Sequence, residues 1–148
     1  MICIKTINSM EELGKLITAE EFAEKLHEML IPFEDHVHQI RDGIDYAMDN
    51  NGGRGGFILA ALEERSIIGA LVMLRTNMSG YVPENLLLYV AVDKSNRGKG
   101  IGTKLMKKAL KLTEGNVKLH VEYDNPAKTL YEKIGFVSKY ADMRYSNE

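Results

Sequence analysis

Leu86-Leu87-Leu88-Tyr89-Val90-Ala91-Val92 runs through Asp93-Lys94-Ser95-Asn96 into Arg97-Gly98-Lys99-Gly100-Ile101-Gly102. An unbroken apolar run of this length predicts a central strand buried on both faces. After Gly102, the residues Leu105, Met106, Ala109, Leu110 and Leu112 recur at helical spacing and predict a helix to about Leu112. The glycine-rich run therefore sits where a strand hands over to a helix. The first N–H groups of a helix lack intrahelical partners, and the helix dipole adds partial positive charge to them, so this turn predicts an anion site. Gly98, Gly100 and Gly102 let the backbone approach phosphate oxygens closely, and Arg97 and Lys99 add positive charge. A diphosphate is a physically sensible ligand.

Two other phosphate-binding patterns fail on the letters. A P-loop needs Gly-Lys followed by Ser or Thr, whereas Gly102-Thr103-Lys104 has the reverse order. A dinucleotide fingerprint needs a third glycine where Thr103 stands, and it usually opens a fold rather than lying two-thirds along it. On these residues alone, a tight strand-to-helix turn without a ligand stays open.

Working outward, Val117 to Tyr123 alternates, with Leu119, Val121 and Tyr123 opposed to Lys118, His120 and Glu122, and predicts a strand. Asn125-Pro126 predicts a helix start and Gly135 its end. Phe136 to Tyr140 and Met143 to Tyr145 close the chain as one or two short strands. Upstream, Phe57 to Leu62 and Ile67 to Leu74 flank Glu63-Glu64-Arg65-Ser66 as an antiparallel hairpin. Asn50 to Gly56 reads as a glycine-rich loop, and Met78 to Asn85 as a loop into the central strand. Ile2 to Ile7 predicts a first strand. Ser9 and Glu12 form a capping-box signature before helical spacing that lasts to about Leu30, in two pieces, ahead of Pro32. A further helix is predicted from Asp35 to Ala47, with Val37, Ile40, Ile44 and Ala47 on one face. The order predicts a mixed α/β sheet covered by helices.

The 148 residues suit one domain spanning 1–148, and 45% hydrophobic with 27% charged residues is an ordinary globular composition. No apolar run approaches the length of a bilayer crossing, and Met1 to Ile7 lacks the pattern of a signal peptide. Cys3 is the only cysteine, so no internal disulfide forms; these features predict a cytoplasmic protein. Charge is uneven. Residues 1–50 carry 11 Asp and Glu against 4 Lys and Arg, and residues 51–148 carry 10 against 15. The second part suits an anionic ligand and the first a cationic one if a single site joins them; otherwise both sets solvate helix faces.

The stretch from Leu86 to Phe136 resembles the GNAT superfamily of acetyl-CoA-dependent N-acetyltransferases. Arg97, Gly100 and Gly102 match the superfamily's turn signature, and Val90-Ala91-Val92-Asp93 is similar to its pantetheine-binding strand end. Asn125, Ala127 and Leu130-Tyr131-Glu132-Lys133-Ile134-Gly135-Phe136 resemble its second motif. The resemblance covers the last two-thirds and is weak before residue 57, where the family shapes its acceptor site. It implies a mostly antiparallel central sheet of six or seven strands flanked by about four helices. The ligand it implies is acetyl-CoA, with coenzyme A as product and no metal.

By the same resemblance, backbone groups of Val90, Ala91 and Val92 would hold the pantetheine and polarise the thioester carbonyl. Those from Gly98 through Lys99, Gly100, Ile101 and Gly102 to Thr103 would bind the diphosphate. Asn125 would contact the cofactor or cap its helix, and Tyr131 would be the general acid; a core tyrosine is its plain alternative. A lysine-like amine is neutral in on the order of one molecule in a few thousand at pH 7, so a base is useful. Many relatives carry a glutamate in the central strand, where this chain has Leu86, Leu87 and Leu88. His120 and Glu122 are the candidate bases instead, with Glu84 a third choice. Lys104, Lys107, Lys108 and Lys111 either attract the cofactor's ribose phosphate or solvate their helix. The expected activity is acetyl transfer to a primary amine, either a small cationic amine or a protein amine, by direct attack in a ternary complex. The alternative is a non-catalytic acyl-CoA sensor or assembly domain. A homodimer is possible, while a nucleic-acid or membrane partner is not expected.

Overall fold

The computed structural model describes residues 1–49 and 55–147. Among these, one five-stranded sheet runs in the order β1 (Ile2–Ile7), β2 (Gly56–Glu63), β3 (Ser66–Arg75), β4 (Asn85–Val92), β5 (Val117–Leu119). The first four strands are antiparallel neighbours, and β5 lies parallel to β4. A parallel pair needs a crossover, and α4 (Ile101–Leu112) supplies it. The remaining helices are α1 (Met10–Gly14), α2 (Ala19–Leu30), α3 (Val37–Ala47) and α5 (Ala127–Ile134).

Period-two alternation sorts the strands onto two cores. Ile58, Ala60, Ala70 and Val72 pack with Phe22, Leu26, Ile40 and Ile44 of α2 and α3. Phe57, Leu59, Leu71 and Met73 pack on the other face with Ile101, Leu105, Met106 and Ala109 of α4. The predicted hairpin forms, with Glu63 opposite Ser66 and a two-residue turn at Glu64 and Arg65, both at positive φ (50° and 72°) as a primed turn requires. The predicted break between α1 and α2 falls at residues 15–18, where Thr18 Oγ1 accepts the N–H of Glu21 at 3.1 Å. Asn50 to Arg54 of the predicted loop lie outside the described residues.

Alternation fails at two places. In β3, Ala61 pairs with Gly69 and Leu62 with Ile67, so Ile68 is an extra residue and joins the α4 side, next to Ile67 on the other. The second break opens the site. In β4 both Leu88 and Tyr89 join the α1–α3 side, while Leu87 and Val90 join the α4 side. The register shows why: Val72 pairs with Tyr89 and Met73 with Leu87, so Leu88 is an extra residue, a β-bulge. Bulges bend the strand that carries them, and β5 pairs only with Asn85, Leu86 and Leu87, just short of Leu88. Beyond it β4 and β5 diverge, leaving the edge of β4 from Tyr89 to Val92 without a strand partner on that side.

This divergence corrects the sequence-based expectation. The predicted strand Val117–Tyr123 stops at Leu119, because His120 to Tyr123 have no edge to pair with. The expected strands Phe136–Tyr140 and Met143–Tyr145 do not form either. β5 is too short to template them, and Val137, Tyr140, Met143 and Tyr145 are exposed. The described sheet thus has five strands, not six or seven, and five α-helices accompany it rather than four.

Asn85, at the start of β4, is one of two buried polar residues among the described residues, and its side-chain Nδ2 donates to the carbonyls of Glu114 (2.7 Å) and Asn116 (3.2 Å). Those bonds fix the α4–β5 loop against β4. Asn85→Leu removes the side-chain donor; the Asn116 carbonyl keeps the Asn85 backbone N–H at 3.1 Å, while the Glu114 carbonyl loses its side-chain partner, at about 2 kcal/mol. For a chain of this size the melting temperature falls by about 5 °C, which thermal unfolding measures.

Candidate active site

The wedge between the diverging strands is a cleft of about 1870 Å³, lined by the β4 edge, the glycine-rich turn, residues 117–126, α5 and the C-terminal segment. Among the described residues no group of three or more His, Cys, Asp or Glu could hold a metal ion, and no helix is long and apolar enough to cross a membrane.

The glycine-rich turn folds as its letters require. Lys94–Asn96 makes a single 3-10 turn, and Gly98 and Gly100 then adopt positive φ, 81° and 79°. A side chain at either would meet no atom within 4 Å, so backbone conformation and not space demands glycine there. Gly100 is the N-cap of α4 and provides no capping side chain. By contrast α1 and α2 are capped by Ser9 and Thr18, and the N–H of Ala127 at the start of α5 is bonded by Asn125 Oδ1 at 2.9 Å. The first turn of α4 thus opens into the cleft with its N–H groups free of a capping oxygen, a donor set suited to diphosphate oxygens.

Arg97 has a more structural post than its charge suggested. Its Nε donates to the Val92 carbonyl at 3.0 Å and its guanidinium to the Met29 carbonyl at 2.8 Å, so it ties the turn to the end of β4 and the end of α2. Lys99 Nζ donates to Asn96 Oδ1 at 3.2 Å, bracing the same turn. Val90 and Val92 face the α4 side, Ala91 the α2–α3 side, and all three line the cleft.

Tyr131, on α5, is 8% exposed, with its ring edge-on to Phe136. Its hydroxyl makes no hydrogen bond among the described residues, yet no sealed side-chain polar atom there lacks a partner, so the hydroxyl opens to the cleft. Burial, helped by the nearby charge of Glu122, pushes its pKa up to about 12. The phenol stays protonated at neutral pH and can donate.

Asn125 Oδ1 caps α5 while its Nδ2 donates to Glu122 Oε1 at 3.1 Å. The plain capping role expected for Asn125 is the one its bonds describe. Glu122 is exposed beside Tyr131. His120 is half-exposed, and burial first, then Lys118 and Arg144, lower its pKa against the opposing pull of Asp142. Its Nδ1 lies 3.2 Å from an Arg144 nitrogen, which can only donate, so Nδ1 is the accepting nitrogen and the proton of the neutral ring sits on Nε2. Accepting a further proton at Nδ1 requires Arg144 to withdraw. Glu84 is a poor base: its carboxylate accepts the N–H of Asn116 at 3.0 Å, and that bond lowers its pKa.

Two features escaped the sequence reading. The bulge at Leu88 is invisible in an all-apolar run. The C-terminal segment crosses the cleft: Tyr140 meets Tyr81 edge-on at 5.6 Å, and Arg144 reaches His120.

The sequence model of the acetyltransferase (GNAT) domain matches residues 54–138, more than half of the chain. The chain belongs to the GNAT acetyltransferase family. No curated protein matches it by sequence. Among solved structures it is similar to a GNAT family acetyltransferase from Streptococcus pneumoniae (18% identity, TM-score 0.67, 99% of this chain and 98% of that one). It is also similar to an aminoglycoside acetyltransferase from an uncultured soil metagenomic sample, solved with sisomicin (18%, 0.66, 99% and 97%). A third likeness is to the NatC complex bound to Gag peptide and CoA (19%, 0.70, 94% and 86%). At these identities the likeness is one of fold.

Proposed function

We propose that the chain transfers an acetyl group from acetyl-CoA to a primary amine by direct attack within a ternary complex. The observation that carries this reading is convergence: the uncapped start of α4, the β4 edge that lacks a strand partner and the hydroxyl of Tyr131 all open into one cleft.

When bound, acetyl-CoA supplies an acyl group activated as a thioester. Backbone N–H groups from Gly98 to Thr103 hold its diphosphate, with Lys99 and Arg97 bracing the turn. The edge of β4 that lacks a strand partner, at Val90, Ala91 and Val92, binds the pantetheine and orients the acyl carbonyl, with the Val92 carbonyl already held by Arg97. Tyr131 gives a proton to the departing sulfur. His120 takes the proton the amine loses, at Nδ1, once Arg144 has moved aside; Glu122 is the alternative acceptor. One proton is given and one taken, so the chain's total charge is unchanged.

The decisive assay is thiol release from acetyl-CoA across an amine panel, beside the thermal shift produced by coenzyme A. Amine-dependent release supports transfer. A thermal shift without release favours a non-catalytic acyl-CoA sensor. The pH dependence tests the base. Because the imidazole pKa is lowered, its accepting form is populated down to below the ordinary value of about 6.5. The acid limb of kcat is expected below that pH, and His120→Ala is expected to abolish the limb and slow the reaction most near neutrality. A limb unchanged in His120→Ala assigns it to another group.

A further inference from the structure

Tyr89 is buried in the core beneath α3, yet its hydroxyl emerges in the cleft one residue before the β4 segment described above. Two features place it there. The bulge at Leu88 turns Tyr89 toward the α1–α3 side, and Gly43 lets α3 settle directly on β4, where any Cβ would collide with the Leu88 side chain and lie 3.6 Å from the Tyr89 ring. The hydroxyl donates to Oδ2 of Asp35, in the α2–α3 loop, at 2.8 Å. Asp35 lines the cleft, and its Oδ1 accepts no hydrogen bond among the described residues. Burial and this bond to Asp35 raise the Tyr89 pKa, so the phenol remains a donor and keeps the carboxylate aimed.

Arg144, on the segment crossing the cleft and gripped by Asp142 at 2.9 and 3.0 Å, lies within electrostatic reach of Asp35. Asp42 of α3 acts on the same Tyr89 hydroxyl, so the field there is negative from two sides. The amine that attacks an acyl group must be neutral, so its own charge cannot be what Asp35 holds.

Resting on the proposed acetyl transfer, we infer that Asp35, oriented by Tyr89, is a specificity-determining residue that anchors a second ammonium group of the acceptor. The preferred acceptors then carry at least two amino groups, one held protonated at Asp35 while the other reacts neutral. The substrate's ammonium gives Asp35 the direct ion pair that Arg144, held by Asp142, does not make with it.

The test compares an α,ω-diamine with the monoamine of equal chain length. In wild type the diamine is expected to have the higher kcat/KM, with a preference that shrinks as salt is raised. Asp35→Asn is expected to reduce the diamine-to-monoamine ratio of kcat/KM by about five- to tenfold, mainly through KM. Tyr89→Phe, which keeps the packing and loses only the hydroxyl, is expected to reduce it less. Calorimetric binding of the diamine, with and without coenzyme A, is measured on the same proteins. If wild type shows no thiol release with any amine, the transfer reading falls, while loss of diamine binding in Asp35→Asn still supports the anchor. A ratio and a binding constant both unchanged in Asp35→Asn overturn it.

Discussion

Tyr131→Phe is expected to lower kcat by roughly a hundred- to ten-thousandfold, the range a positioned proton donor contributes. Coenzyme A affinity should change by no more than about twofold, because only the hydroxyl is lost. The ring's packing against Phe136 and the α4-side core is untouched, so thermal stability should hold. With a pKa near 12, the phenol stays protonated throughout the usual assay range, and no loss of rate from its ionisation is expected until pH approaches that value. Thiol release followed under saturating amine, with coenzyme A binding measured separately, decides the matter. A variant that turns over at the wild-type rate while binding coenzyme A normally would return Tyr131 to the core.

The second large effect is expected at Gly100. A valine there would need φ near 79°, which β-branched residues avoid, at a cost of about 1–2 kcal/mol or more. The turn relieves that strain by rotating, and the N–H groups at the start of α4 lose their common direction. Each charge-assisted hydrogen bond is worth about 1.5–3 kcal/mol, so losing even one weakens coenzyme A binding by roughly ten- to a hundredfold. Calorimetry gives the affinity and thermal unfolding gives the strain. A lower melting temperature with an unchanged dissociation constant would mean that the turn is structural and binds no diphosphate.

Local signals carried much of this architecture. The capping residue Ser9, the period-two and helical spacings, the punctuating glycines and the long apolar run at Leu86–Val92 each act over a few residues, so their consequences can be read from the letters. What could not be read depends on how elements meet. The Val117–Tyr123 alternation predicted a strand over its whole length, but only Val117–Leu119 forms one, because a strand depends on an edge to pair with and the bulge removes that edge after Leu87. The same cause left Phe136 to Tyr145 without a template. At the site, the glycine turn was legible because positive φ and helix starts are local properties. The tie from Arg97 to the Met29 carbonyl spans 68 residues and the Tyr89–Asp35 bond 54, and no spacing rule foresees either. The charge asymmetry fares better than it promised, since Asp35 from the acidic part and the basic turn line one cleft.

The bulge at Leu88 has a further meaning for how such a site is kept or lost. One inserted residue separates two strands that would otherwise zip together, and everything the cleft can hold depends on that separation. Removing Leu88 would restore strict alternation without moving any core side chain to the wrong face, since Tyr89 would take the inward place Leu88 vacates. The resulting sheet would be as apolar and as well paired as before, and β5 could continue past Leu119 along β4. A chain so altered would retain its core and lose its opening, so in this protein the capacity to bind rests on a single residue of deliberate misfit within an otherwise regular strand.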